Sequence, residues 1–373
     1  MILFTNTKRL SFALAMMALD LVAAAGGRAA EPKRAAAASH FLGMEQFASF
    51  DRTTRGGSLV LTSPWFTLSN RWNELVVSWN ATCPPGSQLK IEARASRPNA
   101  TTPFYTLGLW SPDPARHPRE SVPGQKDALA QVQTDTLVCR ESMQRVQVRL
   151  TLDGEPELPK MKFLGLCAAD TSAPPRALPP NRAAWGRSLD VPQRSQLGHP
   201  GASGWCSPTC VSMILAHWAA VLHRPELDVP VPVVAQAVHD RNWPGTGNWP
   251  FNTAFAGSFA GLRACVTRCE DVREVEDWVA AGVPVAASVS FDLLNGKAAD
   301  EGNGHLVVLA GFTKTGGVVV NDPWPNPKQE NSVRKVFPRA NFLRAWARSH
   351  RTIYLIYPQT IHPPPDPFGH WSS

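Results

Sequence analysis

The chain has 373 residues, 43% of them hydrophobic and 18% charged, a balance that excludes a disordered chain and is long enough for two hydrophobic cores. Its formal charge is +7, yet the basic residues are dispersed and form no Lys/Arg block interleaved with aromatics. That distribution argues against specific nucleic-acid binding and leaves at most a general attraction to an anionic cell envelope.

At the N-terminus Lys8 and Arg9 precede an apolar run from Leu10 to Ala25, broken only by Asp20, and small residues follow to Ala30. The pattern predicts a secretory signal peptide over 1–30, cleaved after Ala25 or Ala29, since the run is too short for a membrane span. No later segment reaches spanning length. The expected protein is therefore soluble and extracytoplasmic, secreted or periplasmic, with no membrane span.

Residues 40–170 read as short alternating segments, among them SLVLTSPWFTL, QLKIEARA and RVQVRLTL. Leu89, Ile91 and Ala93 share one face, and Val146, Val148, Leu150 and Leu152 are in phase. Turn-forming Gly, Pro, Asn and Asp separate the segments, which predicts an all-β sandwich or jelly roll. Trp65, Trp72, Trp79, Tyr105 and Trp110 are candidates for a cell-envelope glycan site if exposed, although aromatics at alternating strand positions are more often core. The polar, proline-rich run after Trp110 is expected to be a surface loop. Residues 171–188 form a Pro-rich linker, expected to be exposed and open to nicking, so that a second domain over 189–360 would stand alone.

The second domain centres on Cys206. Gly201, Ser203 and Gly204 open its approach, and Val211, Ile214, Leu215 and Trp218 then recur at helical spacing, with Pro208 tolerated in the first turn. A cysteine at a helix entrance meets unpaired N–H groups and the positive end of the macrodipole. Both lower a thiol pKa below about 8.5 and favour the thiolate nucleophile. Gln196, ten residues earlier, sits in a loop able to fold back. With the backbone N–H of Cys206 it would make an oxyanion hole.

Further on, Val233, Val234, Ala237 and Val238 fit a short helix, as does Thr253 to Ala260. Asp271 is a plausible N-cap for a helix through Val272, Val275, Trp278 and Val279, with Gly282 as its stop. Pro284 to Ser290 is a buried strand. His305 follows the flexible Gly302 to Gly304 and opens the strand LVVLAGF, so its ring projects at a strand end as a general base would. His217 lies about 16 Å along the same helix as Cys206 and is excluded; His199 remains a loop alternative. The turn at Thr313 to Gly317 sends VVVNDP back antiparallel and returns Asp322 towards His305, where a carboxylate would fix the imidazole tautomer. Asn321 is the alternative orienting residue. A helix around Ala340 to Ala347, the strand TIYLIY and a loose proline-rich tail complete the chain.

Seven cysteines in an exported protein suggest disulfide bonds and one remainder, Cys206. Cys83, Cys139 and Cys167 lie in the first half and Cys210, Cys265 and Cys269 in the second, so one bridge would cross the boundary or each half would keep a free thiol. A four-thiolate zinc site of Cys206, Cys210, Cys265 and Cys269 is the competing reading; an oxidising compartment disfavours it.

The run VPQRSQ followed by WCSPTCVSMILAHW resembles the start of the C39-like cysteine peptidases, a bacterial branch of the papain-like fold. GNWPFNTAFAGSF, EVEDWVAAGVPVAASVSF, GHLVVLAGF and VVVNDP continue the resemblance in order over the last half of the chain. It implies an α+β, papain-like peptidase domain preceded by the β domain, and a hydrolase acting on peptide or protein substrates without cofactor or metal. The resemblance assigns Cys206 as nucleophile, His305 as base, Asp322 as orienting residue and Gln196 as oxyanion donor. A cell-wall peptide amidase is the related enzymatic alternative. A non-catalytic module binding glycan or peptide on a papain-like scaffold is the alternative of another class.

Overall fold

The computed structural model describes residues 37–325 and 333–372; the predicted signal peptide over 1–30 lies outside the described residues. The first half is strand throughout: β1 (Ser39–Met44), β2 (Asp51–Arg55), β3 (Ser58–Thr62), β4 (Phe66–Thr82), β5 (Ser87–Arg97), β6 (Ala100–Thr101), β7 (Tyr105–Trp110), β8 (Ala130–Gln133), β9 (Thr136–Gly154) and β10 (Lys160–Ala169). The second half is mixed. It runs α1 (Cys206–Leu222), α2 (Val231–Val238), α3 (Trp249–Ser258), β11 (Leu262–Arg268), α4 (Val272–Ala280), β12 (Val285–Ser290), α5 (Phe291–Leu294), β13 (Gly304–Phe312), β14 (Val318–Asn321), β15 (Arg334–Phe337), α6 (Arg339–Ala347), β16 (Thr352–Pro358) and β17 (Trp371–Ser372). The fold is α+β.

In the first half β9 is the organising strand. Its N-terminal part pairs with β4 and β8 and its C-terminal part with β3 and β5, so one hydrogen-bonded sheet bends around a shared core. The alternation read from Val146, Val148, Leu150 and Leu152 puts all four in that core, as a period of two requires. Trp72, Trp79, Tyr105 and Trp110 are buried with them, and Trp65 is stacked under the guanidinium groups of Arg94 and Arg145. The core reading of these aromatics holds for the four buried ones, which have no face left for a sugar, and the candidate glycan site on them is not formed. Burial of large apolar rings outweighs any exposed use of them.

The second sheet runs β11-β16-β12-β13-β14-β15, each neighbour antiparallel. The helix α1 packs against β13, and α4 caps its first turn with Asp271, whose side chain accepts from Arg273 N–H. Thr253 to Ala260, expected to be helical, is displaced to Trp249–Ser258, because Asn248 accepts from Phe251 N–H and starts the helix earlier.

Residues from Ala36 to Ser373 form a single unit. From α3, Phe251 inserts between Trp79 and Trp110, with ring centroids 6.1 Å and 5.4 Å away. The Asn80 side chain exchanges two hydrogen bonds with the backbone of Ala264, at 2.7 Å and 3.0 Å. Gly257 makes room for it, since a Cβ there would lie 2.0 Å from Asn80 Nδ2. The later part of the Pro-rich stretch docks on the second half: Asn181 N–H and Trp185 Nε1–H donate to the Glu276 carboxylate, and Leu189 N–H donates to Ala310 O.

Two expectations are corrected here. The C-terminal tail is not loose, because His370 is fully buried between Ser39 and Glu274 and β17 runs parallel beside β1. All seven cysteines are free thiols, so the expected disulfide bonds are not formed. Cys139, Cys167, Cys210 and Cys265 are buried as small apolar side chains on strands and helix, and Cys269 is buried just after β11; burial pushes the Cys83 and Cys139 thiols up to about 12. Among the described residues no cluster of His, Cys, Asp and Glu could hold a metal ion. No helix among them is long and apolar enough to cross a membrane.

Candidate active site

The chain enters α1 through a left-handed Gly201 (φ 76°) and a single 3-10 turn over Ala202–Gly204, with Trp205 as N-cap residue. Cys206 is thus the first helical residue, half-buried, where the free backbone N–H groups converge. The His305 side chain and the backbone N–H groups of Leu306 and Ser207 lie near enough to its sulfur to favour the thiolate. Burial alone would push the thiol up, but the hydrogen bond and charge of His305 hold it below its ordinary value.

His305 is the second residue of β13, paired with Val289 of β12 and buried to 5% exposure. Its Nε2–H donates to Asp322 Oδ1 at 2.8 Å, which leaves Nδ1 for the thiol. Burial pushes the imidazole down, but hydrogen bonds to Asp322 and Cys206 carry it up to about 9. Phe291 meets the ring edge-on at 5.2 Å.

Asp322 follows the last residue of β14 and is fully buried. Oδ1 also accepts from Trp324 N–H at 2.9 Å, and Oδ2 accepts from Lys335 Nζ at 2.7 Å. Burial would raise this carboxyl; His305 and Lys335 hold it at about 2. The structure thus brings Cys206, His305 and Asp322 together. Asn321 points elsewhere, donating to Val191 O and accepting from Arg334 Nε, because adjacent residues at a strand end face opposite ways.

Gln196 is brought to the same loop and buried to 1% exposure. Its backbone N–H donates to Pro323 O, and its Nε2 donates to Ala202 O at 3.0 Å and Ser203 O at 2.8 Å. Both amide hydrogens therefore hold the turn before Cys206, and Oε1 has no partner among the described residues. His217 binds Asp190 O, and His199 stacks on Trp205 at 6.0 Å; neither meets the thiol network described above. Lys335 was not legible beforehand, because nothing in the sequence sets the β14–β15 register that brings it to Asp322.

Residues 188–354 match the Peptidase_C39 like family and residues 38–169 match the Peptidase C39 N-terminal domain. A solved structure from Bacillus anthracis, described as a candidate C39-like peptidase, is 18% identical with a TM-score of 0.36, over 46% of this chain and 98% of its own. No curated protein matches the chain. With both halves matched in order by models of one peptidase family, the chain is identified as a member of the C39-like peptidases.

Proposed function

We propose that the protein is an exported cysteine peptidase that hydrolyses peptide bonds through Cys206, His305 and Asp322. The observation that carries this reading is the chain of contacts from the thiol through His305 to the buried Asp322 carboxylate. Cys206 thiolate attacks the scissile carbonyl carbon, and the carbonyl π-electrons move to oxygen. The oxyanion forms beside the helix entrance, where the Cys206 N–H is a donor. Collapse of that intermediate breaks the C–N bond as imidazolium His305 gives its proton to the leaving amine, leaving a thioester. Neutral His305 then takes a proton from water, the hydroxide attacks the thioester, and the acid product leaves as Cys206 thiolate and imidazolium are restored. Asp322 keeps the imidazole in the required tautomer throughout.

Gln196 becomes the second oxyanion donor once one of its hydrogens leaves the Ala202 or Ser203 carbonyl. On that assignment Gln196→Ala lowers kcat by about 10²-fold to 10³-fold, and a loss below about threefold would move the role to another donor. The deciding experiment is hydrolysis of a casein digest by the wild type and by Cys206→Ala, with iodoacetamide labelling mapped by mass spectrometry. Stoichiometric label on Cys206 and no turnover by Cys206→Ala are expected; an active Cys206→Ala protein would sink the assignment.

A further inference from the structure

A cavity of about 500 Å³ opens against Gly304, the residue before His305. One wall belongs to the first half of the chain, the turn Gln133–Thr136 between β8 and β9. The cavity lining also includes Trp243, Gly247, Trp249, Ser290 and Asn303.

Trp243 stands out among these residues because it is 45% exposed, while Asp240, Thr246 and Asn248 of the same loop are buried. Its indole lies against two glycines: a Cβ at Gly247 would sit 3.0 Å from the ring and one at Gly245 3.2 Å. The benzo ring thus rests close to bare backbone, and a side chain at either glycine would push it outwards. The loop beneath is fixed by the fully buried Asp240, whose Oδ1 accepts from Trp243 N–H at 3.2 Å and Ser121 N–H at 3.0 Å. Its Oδ2 accepts from Asn248 Nδ2 at 2.9 Å. Thr246 Oγ1 donates to Gly204 O at 2.8 Å, tying the same loop to the turn that leads into Cys206. From the first half of the chain Asp135 Oδ2 accepts the first N–H of α3 at Trp249, at 2.8 Å. The core does not need this ring, since burial is what rewards a tryptophan in a fold.

We propose that this cavity is the substrate groove and that Trp243 is its platform, taking a flat side chain, aromatic or proline, of a peptide bound across His305. The proposal rests on the peptidase reading and deepens it. An indole backed by rigid loop presents a π-face at low ordering cost, and the polar groups of Gln133, Thr134, Ser290 and Asn303 around it suit the amides of an extended backbone. The first half of the chain then acts in substrate selection, supplying a wall and, through Ser121 and Asp135, the bracing of the platform loop.

The test scans Phe, Tyr, Pro, Ala and Asp through each position of internally quenched octapeptides. Binding is measured to full-length Cys206→Ala protein and cleavage by the wild type. Phe, Tyr or Pro at one position is expected to bind about tenfold more tightly than Ala there. Trp243→Phe in the Cys206→Ala background should keep that advantage and Trp243→Leu should lose it, a contrast between two apolar side chains of which only one is flat. Equal preference in Trp243→Leu would overturn the platform, as would a failure of any octapeptide to bind or binding of N-acetylglucosamine oligomers at Trp243 instead. If the octapeptides bind with the expected contrast but the wild type cleaves none, the platform stands and the peptidase reading fails.

Discussion

Lys335 Nζ lies 2.7 Å from Asp322 Oδ2, the carboxylate oxygen that His305 does not use. The carboxylate is therefore shared between an imidazole and an ammonium group, with Trp324 N–H as a third donor. Lys335 is 25% exposed and Asp322 fully buried, so the pair is only partly screened by solvent.

The first prediction concerns acid stability. A carboxyl depressed to about 2 contributes stability that is present above its unfolded value near 4 and is lost as the pH falls through about 2. Removing Lys335 takes away one of the causes of that depression. Lys335→Met should move the acid edge of the thermal-melting profile up towards pH 4, measured between about pH 2 and 5. An unchanged edge would mean that His305 alone holds the carboxylate.

A second prediction separates the two members of the thiol–imidazole pair. His305 is raised to about 9, so its protonated form, and the stability it contributes, is complete below about 6.5 and disappears as the pH rises through about 9. Peptide hydrolysis needs that proton for the leaving amine and should fall across the same range. Alkylation needs only the thiolate and should not. At pH 6 an ordinary thiol is on the order of 0.3% ionised, whereas Cys206, lowered by His305, should react with iodoacetamide well before Cys83. Parallel loss of both activities above pH 9 would contradict the assignment of His305 as acid.

Phe251 provides the third prediction. Its ring is fully buried between Trp79 and Trp110, so Phe251→Ala should cost about 3–5 kcal/mol. The loss should appear as one cooperative transition, because both halves share that core. Gly257→Ala should also destabilise, since the added methyl collides with the Asn80 amide that bonds Ala264. Two separate transitions in calorimetry, with Phe251→Ala moving only one, would show that the halves unfold independently.

A fourth prediction addresses the tail. Removing residues after Pro365 deletes His370 and leaves the buried Glu274 Oε2 without its donor, while Ser39 Oγ keeps Arg268 O and Glu270 Oε1. An uncompensated buried polar group costs about 1–3 kcal/mol, so the melting temperature should drop measurably. A melting temperature that stays the same would mean the tail only rests on the surface.

The amino-acid sequence by itself determined the local parts of this protein. Periodicity marked α1 and the buried alternation of Val146 to Leu152, because both depend on spacing within one segment. The glycines before Cys206 and the Gly302–Gly304 run before His305 located the helix entrance and the strand end. The order of motifs pointed to one family. What the tertiary structure decided involves residues far apart in the chain. Asp322 rather than Asn321 meets His305, because the β13–β14 register and the strand end put adjacent side chains on opposite sides. Lys335 reaches that carboxylate only through the β14–β15 pairing. Buried cysteines stay thiols, and a tail that reads as loose is anchored by a histidine 331 positions from its serine partner. Contacts of that kind carry no local periodicity, since they arise from which faces pack together after the elements form.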